Sequence, residues 1–423
     1  MKEMLLRLMR HIGKESEFKL FLDLFQNLPP LKFAVIKVSG ETLENSMDSL
    51  AEDLAMLNKL DIYPIVVHGA GSILDRKLPD SKKKDGIRIT PPEDMQVIED
   101  CFASMSNQLI ESIQKHGGRA SRAERVFTCT EKEGYGRVGD VAEIDLSAIT
   151  RIIESGITPV VSPIGLGVGG NYNINADTAA KELVRTISPK KFVLLTETGG
   201  ILDANKEVLP YINLSEPFSH ITGGMLLKVK EIKSFLEEKP ECAVVITSAQ
   251  NLLQEMFTIK GSGTFIKYHL LKSADGTDDV DTKRLKALLE DSFGKELVDG
   301  YFDNGIKEII YEQDYEGVAI VKEIEGIPYV DKLAVLKSCQ GTGLGKSLWL
   351  KVKAKYDRFI LRAAPDNPFN GFYAQECQGM VKGDWHVYWE NLRLDEVVTA
   401  IPQIMALEKT VVDVDGKGGE ADE

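Results

Sequence analysis

The sequence predicts an α/β protein whose larger part is built on a mainly parallel β-sheet and whose smaller part is a second α/β unit. From residue 31 to about 250, short apolar runs alternate with stretches of helical periodicity. Beyond residue 270 this alternation stops, and residues 301–339 have the pattern of strands joined by tight turns, which predicts antiparallel pairing. At roughly 150 residues per domain, the 423 residues have room for both units.

The first 30 residues have the pattern of an amphipathic helix, with apolar positions recurring every three or four residues until Pro29 and Pro30 end it. Two interpretations stay open: a helix docked on its own domain, or one that joins subunits or carries a regulatory signal. Arg7, Arg10 and Lys14 interrupt the stretch, so it lacks the apolar core of a secretory signal. We therefore expect a cytoplasmic protein.

The first domain is predicted over residues 31–270. Helices separate buried strands expected at 31–40, 62–71, 125–130, 158–165, 191–198 and 242–248. Ligands of such sheets collect where the strands end. A linker rich in glycine, serine and acidic residues is expected at 271–282, a second domain at 283–407 and a polar tail at 408–423.

Composition excludes some classes of function. The formal net charge is −14, which disfavours nucleic acid or anionic lipid as a partner of the whole surface. No apolar run approaches the ~18 residues of a membrane-spanning helix. The five cysteines form no CxxC pair and predict reduced thiols, and we expect no metal site.

Three charged residues and one small-residue loop suggest phosphoryl transfer. Lys37 interrupts an apolar strand, which is costly unless it meets an anion, although a lysine at a strand edge could instead reach solvent. Gly69-Ala70-Gly71 follows the next strand, where small residues let backbone N–H groups approach phosphate. Asp177 begins a helix that it could cap, or it could orient lysines. With Lys228 brought beside Lys37, the set would neutralise a moving phosphoryl group.

Other polar residues in this half fit a carboxylate ligand. Arg88 lies in a loop suited to a bidentate contact, and Asn173 and Asn175 offer amides.

Two further glycine motifs resemble nucleotide-binding sequences, but each departs from the required pattern. Glycines at 165, 167 and 170 match the dinucleotide spacing, but no helix opens there and the required acidic residue is missing. GTGLGKS resembles a P-loop, but Gln340 occupies the position of its first glycine.

In order, VIKVSG, VVHGAG, GIRIT, NINAD, LLTETGGILD and GGMLLKV resemble the amino acid kinase family, and within it the N-acetylglutamate kinases, over about residues 31–268. The resemblance implies a three-layer αβα domain, N-acetylglutamate as substrate, and ATP carrying its own Mg²⁺. It implies that Lys37 and Lys228 contact the phosphoryl group, that Asp177 organises both, and that further contacts come from Gly40, Gly69, Ala70, Gly71, Arg88 and Asn173. Ala70 replaces a usual third glycine, which argues mildly against kinase activity.

Residues 255–264, EMFTIKGSGT, together with the N-terminal helix resemble the arginine-inhibited members of that family. The resemblance implies that Glu255 and the Gly261 carbonyl contact L-arginine and that the protein is a homotetramer. A carboxylate and a carbonyl suit a guanidinium chemically. An ordinary helix end followed by a turn is the alternative interpretation.

In the second domain, glycines follow a strand and open a helix at residues 340–346, where successive N–H groups and the helix dipole would hold a pyrophosphate. A glycine-rich helix cap is the alternative. Together with VDKLAVLK and residues 358–392, this loop resembles the GNAT acetyltransferases, and in particular the acetyltransferase half of the N-acetylglutamate synthases. The resemblance covers about residues 283–405.

This second resemblance implies acetyl-CoA as a co-substrate and L-glutamate as the acceptor. Tyr373 would be the general acid that protonates the departing thiolate, although it could be a core aromatic instead. The implied glutamate ligands are Lys332, Arg362 and Asn367. The implied coenzyme A contacts are Val335, Leu336, Gln340, Gly341, Gly343, Gly345 and Lys346.

Together these features predict a bifunctional enzyme that makes N-acetylglutamate and then phosphorylates it, as in arginine biosynthesis, under inhibition by L-arginine. One alternative keeps the synthase only and treats the kinase fold as an inactive arginine sensor. Another is a non-enzymatic amino acid sensor that binds partner proteins.

Overall fold

The computed structural model describes residues 15–203, 205–215, 223–239, 242–257, 261–303, 305–340 and 343–413, with residues 15–17, 223–228 and 231 described by their backbone. These residues form two compact units: the first runs from Phe21 to Tyr268, and the second runs from His269 onward and includes the described residues up to Leu20. The two units are described in turn.

The first unit has the alternating order that the sequence predicts. Its helices are the part of α1 Glu15–Gln26 that begins at Phe21, α2 Gly40–Lys59, α3 Gly71–Lys77, α4 Met95–Lys115, α5 Ser147–Glu154, α6 Ala176–Ile187, α7 Gly223–Glu238 and α8 Leu252–Phe257. Its strands are β1 Ala34–Val38, β2 Ile65–His68, β3 Lys83–Lys84, β4 Ile87–Arg88, β5 Ala120–Ala123, β6 Phe127–Glu131, β7 Gly139–Ile144, β8 Thr158–Val161, β9 Ile164–Gly167, β10 Gly170–Asn173, β11 Lys191–Leu195, β12 Tyr211–Asn213, β13 Ala243–Thr247 and β14 Thr264–Lys267.

Eight strands form the main sheet, in the order β12-β14-β13-β11-β1-β2-β8-β5. All neighbours are parallel except β13 and β14. Every residue of β2, β8, β11 and β13 is buried, as expected of strands covered on both faces. The prediction of a mainly parallel α/β sheet is therefore confirmed.

Two of the predicted strands differ in detail. The run at 125–130 forms β6, but β6 belongs to a separate four-stranded sheet of order β10-β9-β6-β7. The run at 158–165 divides into β8 and β9, which belong to different sheets, because Pro163 has no N–H to continue the ladder. The main sheet instead ends in β5, whose short polar sequence ASRA gave no strand signal.

The part of α1 from Phe21 onward packs within the first unit. Phe21, Leu22 and Phe25 are buried, and the Phe25 ring centroid lies 4.8 Å from that of Phe33 and 5.9 Å from that of Phe257. These contacts favour the docked helix among the interpretations of the N-terminal segment. Residues 1–14 of the predicted helix lie outside the described ranges.

The second unit contains the helices α9 Thr282–Phe293, α10 Leu344–Lys355, α11 Asn370–Glu376 and α12 Leu394–Ala406. Its strands are β15 Leu271–Asp275, β16 Glu296–Leu297, β17 Ile306–Glu312, β18 Gly317–Ile324, β19 Ile327–Val335, β20 Phe359–Ala363, β21 Gln378–Lys382, β22 Trp385–Glu390 and β23 Val411–Val412. Seven of them form one sheet of order β15-β17-β18-β19-β20-β22-β21. Antiparallel pairing of β17, β18 and β19 confirms the prediction for residues 301–339.

Two predicted boundaries are corrected by this pairing. The expected linker at 271–282 begins with β15, which pairs antiparallel with β17 as an edge strand. An edge strand can be polar because only one side of it is hydrogen-bonded to the sheet. The composition of β15 therefore resembles that of a linker, and the sequence did not predict a strand there. The expected polar tail begins with residues that include β23, paired with β16, while residues 414–423 lie outside the described ranges.

Two general properties of the chain bear on its chemistry. No helix in the described part of the chain is both long and apolar enough to span a membrane. All five cysteines are free, and Cys101, Cys129 and Cys242 are buried.

Replacing Phe25 by alanine is expected to destabilise the first unit by about 3 kcal/mol, because it leaves a cavity between α1, Phe33 and Phe257. The measurement is denaturant unfolding followed by circular dichroism. Leu166→Ala, at a half-exposed position of the same unit, is the control and should change stability by less than about 0.5 kcal/mol. Equal stability of the Phe25→Ala variant and the wild type would contradict docking of α1.

Candidate active sites

An ion pair lies at the carboxyl end of the central strand of the main sheet. Lys37 is the single incompletely buried residue of β1, and its Nζ lies 3.0 Å from Oδ1 of Asp177. The carboxylate gives the lysine a counter-charge inside an apolar sheet. The structure thus brings together two of the residues that the sequence predicts to act together.

The hydrogen bonds of Asn175 distinguish between the two roles considered for Asp177, capping the helix or orienting a lysine. The Asn175 side-chain oxygen accepts hydrogen bonds from the backbone N–H groups of Asp177 (2.9 Å) and Thr178 (3.1 Å). Asn175 is therefore the N-cap of α6. The Asp177 carboxylate faces Lys37, so the lysine-orienting role is the one that the geometry supports.

Two glycine loops meet beside this ion pair. A Cβ added to Gly40 would lie 2.9 Å from the backbone nitrogen of Gly71 and 3.0 Å from the Ala70 backbone, so this close approach requires glycine. Gly40 begins α2, and Gly71 begins α3. The starts of two helices thus lie together, with their N–H groups and dipoles suited to an anion.

Ala70 fits this loop without strain. Its φ is −134°, a value that any residue adopts, so the family's usual glycine is not needed here for conformational freedom. The residue is only 2% exposed, which places its methyl group against protein.

A buried histidine that the sequence analysis did not single out supports the same loop. The Nε2 atom of His68 lies 2.7 Å from the Ser106 hydroxyl, and its Nδ1 lies 3.4 Å from the carbonyl oxygen of Gly69. Complete burial lowers the pKa of His68 to about 4, so the ring is neutral at physiological pH. The sequence signal that could have identified His68 is its position directly before the glycine loop.

The predicted carboxylate ligands of this half lie near each other. Asn173 Nδ2 donates to Thr90 Oγ1 at 3.1 Å, two residues beyond Arg88. Arg88 is buried, and its guanidinium contacts the Asp75 carboxylate and the Ser81 hydroxyl. The Asp75 carboxylate therefore occupies the place on the Arg88 guanidinium where the carboxylate of a ligand would bind. Hydrogen bonds from Lys83, then from Arg88, lower the pKa of Asp75.

Three predicted residues of this unit have less support. Lys228 lies on α7, but its side chain is outside the described part of the structure. Glu255 is buried, and its Oε1 accepts 2.6 Å hydrogen bonds from the N–H groups of Ser262 and Gly263. A Cβ at Gly261 would lie 2.0 Å from the Glu255 carboxylate. These contacts close a turn, which is the structural alternative to an arginine site.

In the second unit, the predicted coenzyme A loop lies between β19 and α10. Gly343, with φ +84°, precedes the first residue of α10, and a Cβ on Gly345 would lie 3.7 Å from Val335 Cγ2. Leu336 follows β19 directly, Gln340 ends the next short helical turn and Lys346 lies in the first turn of α10. Gly341 lies outside the described residues.

The sheet is weakly joined next to this loop. Strands β19 and β20 run parallel, and their ladder has the single pair Tyr329 and Ile360. Beyond this pair, β19 continues unpaired on that side as far as Val335. The unpaired backbone groups could receive an extended ligand between the two strands.

Tyr373 lies on α11 and is 4% exposed. Its ring centroid lies 5.4 Å from that of Trp349 and 5.5 Å from that of Tyr388. Burial, then the nearby Cys377 and Tyr388, raises the pKa of Tyr373 above its ordinary value. The phenol therefore keeps its proton at neutral pH, as a general acid must until it donates.

The three predicted glutamate ligands differ in their surroundings. Lys332 is buried, with its Nζ 3.2 Å from Asp331 Oδ1. Asn367 Oδ1 accepts from the Phe369 N–H at 2.9 Å, in the turn before α11. Arg362 donates to the carbonyl oxygens of residues 404, 407 and 408 at 2.6–3.1 Å, and its positive charge also acts on Lys332.

Within the described ranges, no group of three or more His, Cys, Asp or Glu side chains is placed to hold a metal ion. Each unit thus has a strand-to-helix loop that is suited to an anion. The first unit adds the Lys37–Asp177 ion pair, which can neutralise negative charge, and the second adds Tyr373, which can donate a proton. This arrangement is that of a two-domain α/β protein with one candidate anion-binding loop in each unit.

Comparison with known proteins identifies both units. Residues 32–248 match the amino acid kinase family, and residues 268–406 match the N-acetyltransferase domain of N-acetylglutamate synthase. The chain belongs to the amino acid kinase family. It is 35% identical over 399 residues, 90% of this chain and 95% of the relative, to acetylglutamate kinase of Xylella fastidiosa.

Two further proteins resemble the chain over most of its length. Human mitochondrial N-acetylglutamate synthase is 27% identical, with 85% of this chain and 69% of that protein covered. The crystal structure of Neisseria gonorrhoeae N-acetylglutamate synthase with coenzyme A and N-acetylglutamate has a TM-score of 0.61 at 19% identity, covering 90% of this chain and 99% of that one. At this identity the match establishes the fold.

Protonation of His68 is expected to destabilise the first unit in acid. The histidine titrates near 6.5 in the unfolded chain and near 4 in the fold, so the unfolded state binds more protons between these values. Stability from this group is complete above pH 6.5 and falls as the pH drops. From pH 7.5 to pH 5 the loss should be about 2 kcal/mol.

Urea unfolding of the wild type and of His68→Gln at both pH values measures this effect. The glutamine amide can still bond Ser106 but does not titrate, so the variant should lose about 2 kcal/mol less than the wild type on acidification. Parallel pH profiles for the two proteins would show that His68 is not held neutral.

Proposed function

We propose that the chain is a bifunctional enzyme that acetylates L-glutamate with acetyl-CoA and phosphorylates the γ-carboxylate of the resulting N-acetylglutamate with ATP. The observation that carries this proposal is the presence of two separate glycine loops, each between a strand and a helix start. The loop beside Lys37 and Asp177 would take a nucleoside triphosphate, and the loop at Gly343 would take the pyrophosphate of coenzyme A.

In the kinase reaction, an oxygen of the γ-carboxylate attacks the terminal phosphorus of ATP, and ADP leaves. Lys37 and Lys228 would neutralise charge on the moving phosphoryl group, and Asp177 would hold Lys37 in place. The N–H groups at Gly40, Gly69, Ala70 and Gly71 would contact phosphate and substrate, and ATP would bring its Mg²⁺. Arg88 and Asn173 would hold the substrate carboxylate, which must displace Asp75 from Arg88.

In the synthase reaction, the amine of glutamate attacks the thioester carbonyl, and the tetrahedral intermediate expels the coenzyme A thiolate. Tyr373 would give that thiolate its proton, and the backbone near Val335 and Leu336 would polarise the carbonyl. Direct attack is favoured over an acetylated cysteine. Burial, then nearby Glu390, raises the pKa of Cys377 to about 12, so this thiol is a poor nucleophile at neutral pH.

Regulation and assembly are proposed from the family resemblance. L-Arginine would inhibit the enzyme through Glu255 and Gly261, the assembly would be a homotetramer, and the location would be the cytoplasm. Binding of arginine at Glu255 requires its carboxylate to leave the N–H groups of Ser262 and Gly263. The site would therefore form by rearrangement of this turn.

The alternative function keeps the synthase alone, with the kinase fold as an arginine sensor. The Lys37–Asp177 pair favours a working kinase over this alternative. An assay with ATP, N-acetylglutamate and hydroxylamine decides between them, because hydroxylamine traps an acyl phosphate as a hydroxamate. Hydroxamate formation supports the bifunctional proposal, and its absence alongside active acetylation supports the alternative.

Lys37→Met is expected to lower kinase turnover by a factor of about 100 or more, because one of the charges that neutralise the phosphoryl group is lost. Acetylation of glutamate should stay within about twofold of the wild type. Hydroxamate and acetylation assays on the same preparation measure both activities. Lys59→Met, at an exposed site on α2, is the control and should leave both unchanged. Equal loss of both activities in Lys37→Met would indicate misfolding.

Tyr373→Phe should have the opposite effect, with acetylation reduced by a factor of about 100 and kinase activity retained, because the phenol no longer supplies a proton. Its matched control is Tyr315→Phe, a phenol outside the proposed site. A Tyr373→Phe variant that acetylates at the wild-type rate would restrict Tyr373 to packing against Trp349 and Tyr388.

A further inference from the structure

A β-bulge in the second unit brings two oppositely charged sequence neighbours to the same face of the sheet. In the ladder between β18 and β19, Ile320 faces Lys332 and Val321 faces Val330, so Asp331 is an extra residue without a partner. Adjacent residues of a regular strand point to opposite faces. The bulge lets Lys332 Nζ lie 3.2 Å from Asp331 Oδ1.

Two further side chains join this pair. The Tyr301 hydroxyl donates to Asp331 Oδ2 at 2.6 Å, and Lys322 Nζ lies 3.6 Å from the same oxygen. Both ammonium groups lie over the Tyr301 ring, with Nζ 4.6 Å from the ring centroid for Lys322 and 5.3 Å for Lys332. We call Tyr301, Lys322, Asp331 and Lys332 the bulge cluster.

The two lysines and the single aspartate of the bulge cluster leave one positive charge without a counter-charge. Among the described residues, Asp331 supplies the only carboxylate within ion-pairing distance of either lysine. The side chains of Asp331 and Lys332 are 7% and 9% exposed, and that of Lys322 is 22% exposed. An uncompensated charge in such surroundings is costly, and a bound anion would compensate it.

We propose that the bulge cluster binds one carboxylate of an acidic acceptor amino acid, with Lys322 as the second cation beside Lys332. This inference rests on the proposed synthase function and adds to it the residue that selects a dicarboxylic acceptor. The excess of one positive charge matches a carboxylate, which carries one negative charge. The partial exposure of Lys322 leaves its ammonium group accessible from solvent, as binding requires.

Asp331 has a different role in this arrangement. It holds both lysines in place and takes up half of their combined charge, and the Tyr301 hydroxyl fixes its second oxygen. Asp331 and Tyr301 are therefore positioning residues, whereas the two lysines contact the acceptor.

Lys322→Met separates binding from folding. Removing the Lys322 ammonium group leaves Asp331 paired with Lys332 and Tyr301, so the remaining charges balance. The melting temperature should therefore equal or exceed that of the wild type. The KM for glutamate should rise about tenfold or more, the loss expected for one charge-assisted contact, with the KM for acetyl-CoA unchanged. Lys322→Arg should recover most of the affinity. The matched control is Lys307→Met, which removes an exposed β17 lysine paired with Glu323.

Binding without turnover gives a second readout. With coenzyme A present, glutamate should raise the melting temperature of the wild type more than that of Lys322→Met. Glutamine and glutamate α-amide each lack one carboxylate. The analogue whose effect is the same in the wild type and Lys322→Met identifies the carboxylate that Lys322 binds.

The outcomes separate this inference from the proposed function. A wild type that forms no N-acetylglutamate overturns the synthase function itself. An active wild type whose Lys322→Met variant keeps the glutamate KM, or melts at a lower temperature with an unchanged response to glutamate, overturns the role of Lys322 and leaves the synthase intact.

Discussion

The candidate active site of the first unit depends on one interaction, the ion pair between Lys37 and Asp177. A lysine in the central strand of a parallel sheet needs a counter-charge, because apolar neighbours cannot replace its lost hydration. Asn175 makes this possible by capping α6, which lets the aspartate of the first helical turn face the lysine. The contact between Gly40 and the loop at Ala70 and Gly71 then places two helix starts at the same sheet edge.

The second unit meets a similar constraint with other means. Here buried cations are held by a β-bulge, which brings Asp331 beside Lys332 in a way that regular alternation forbids. The Tyr373 phenol of this unit is kept protonated by burial among aromatic rings. Both units therefore use a local feature of the backbone, a helix cap or a bulge, to place charge where an anionic ligand can use it.

The sequence predicted the features that follow from local pattern. Short apolar runs predicted β1, β2, β11 and β13, and Lys37 stood out as a charge within one of them. Features that depend on partners distant in the chain could not be found this way. Strand β5 and edge strand β15 are polar, and the register shift that creates the bulge depends on β18. The carbonyls that engage Arg362 lie more than 40 residues further along the chain.

The most direct test of the account is a crystal structure with a non-hydrolysable ATP analogue and coenzyme A both present. We expect one phosphate chain against Gly40 and the loop at Gly69–Gly71, close to Lys37, and the other at the start of α10 beside Gly343. A structure in which either loop lacks its phosphate chain, at saturating concentrations of both ligands, would contradict the claim that one chain serves two transfer reactions.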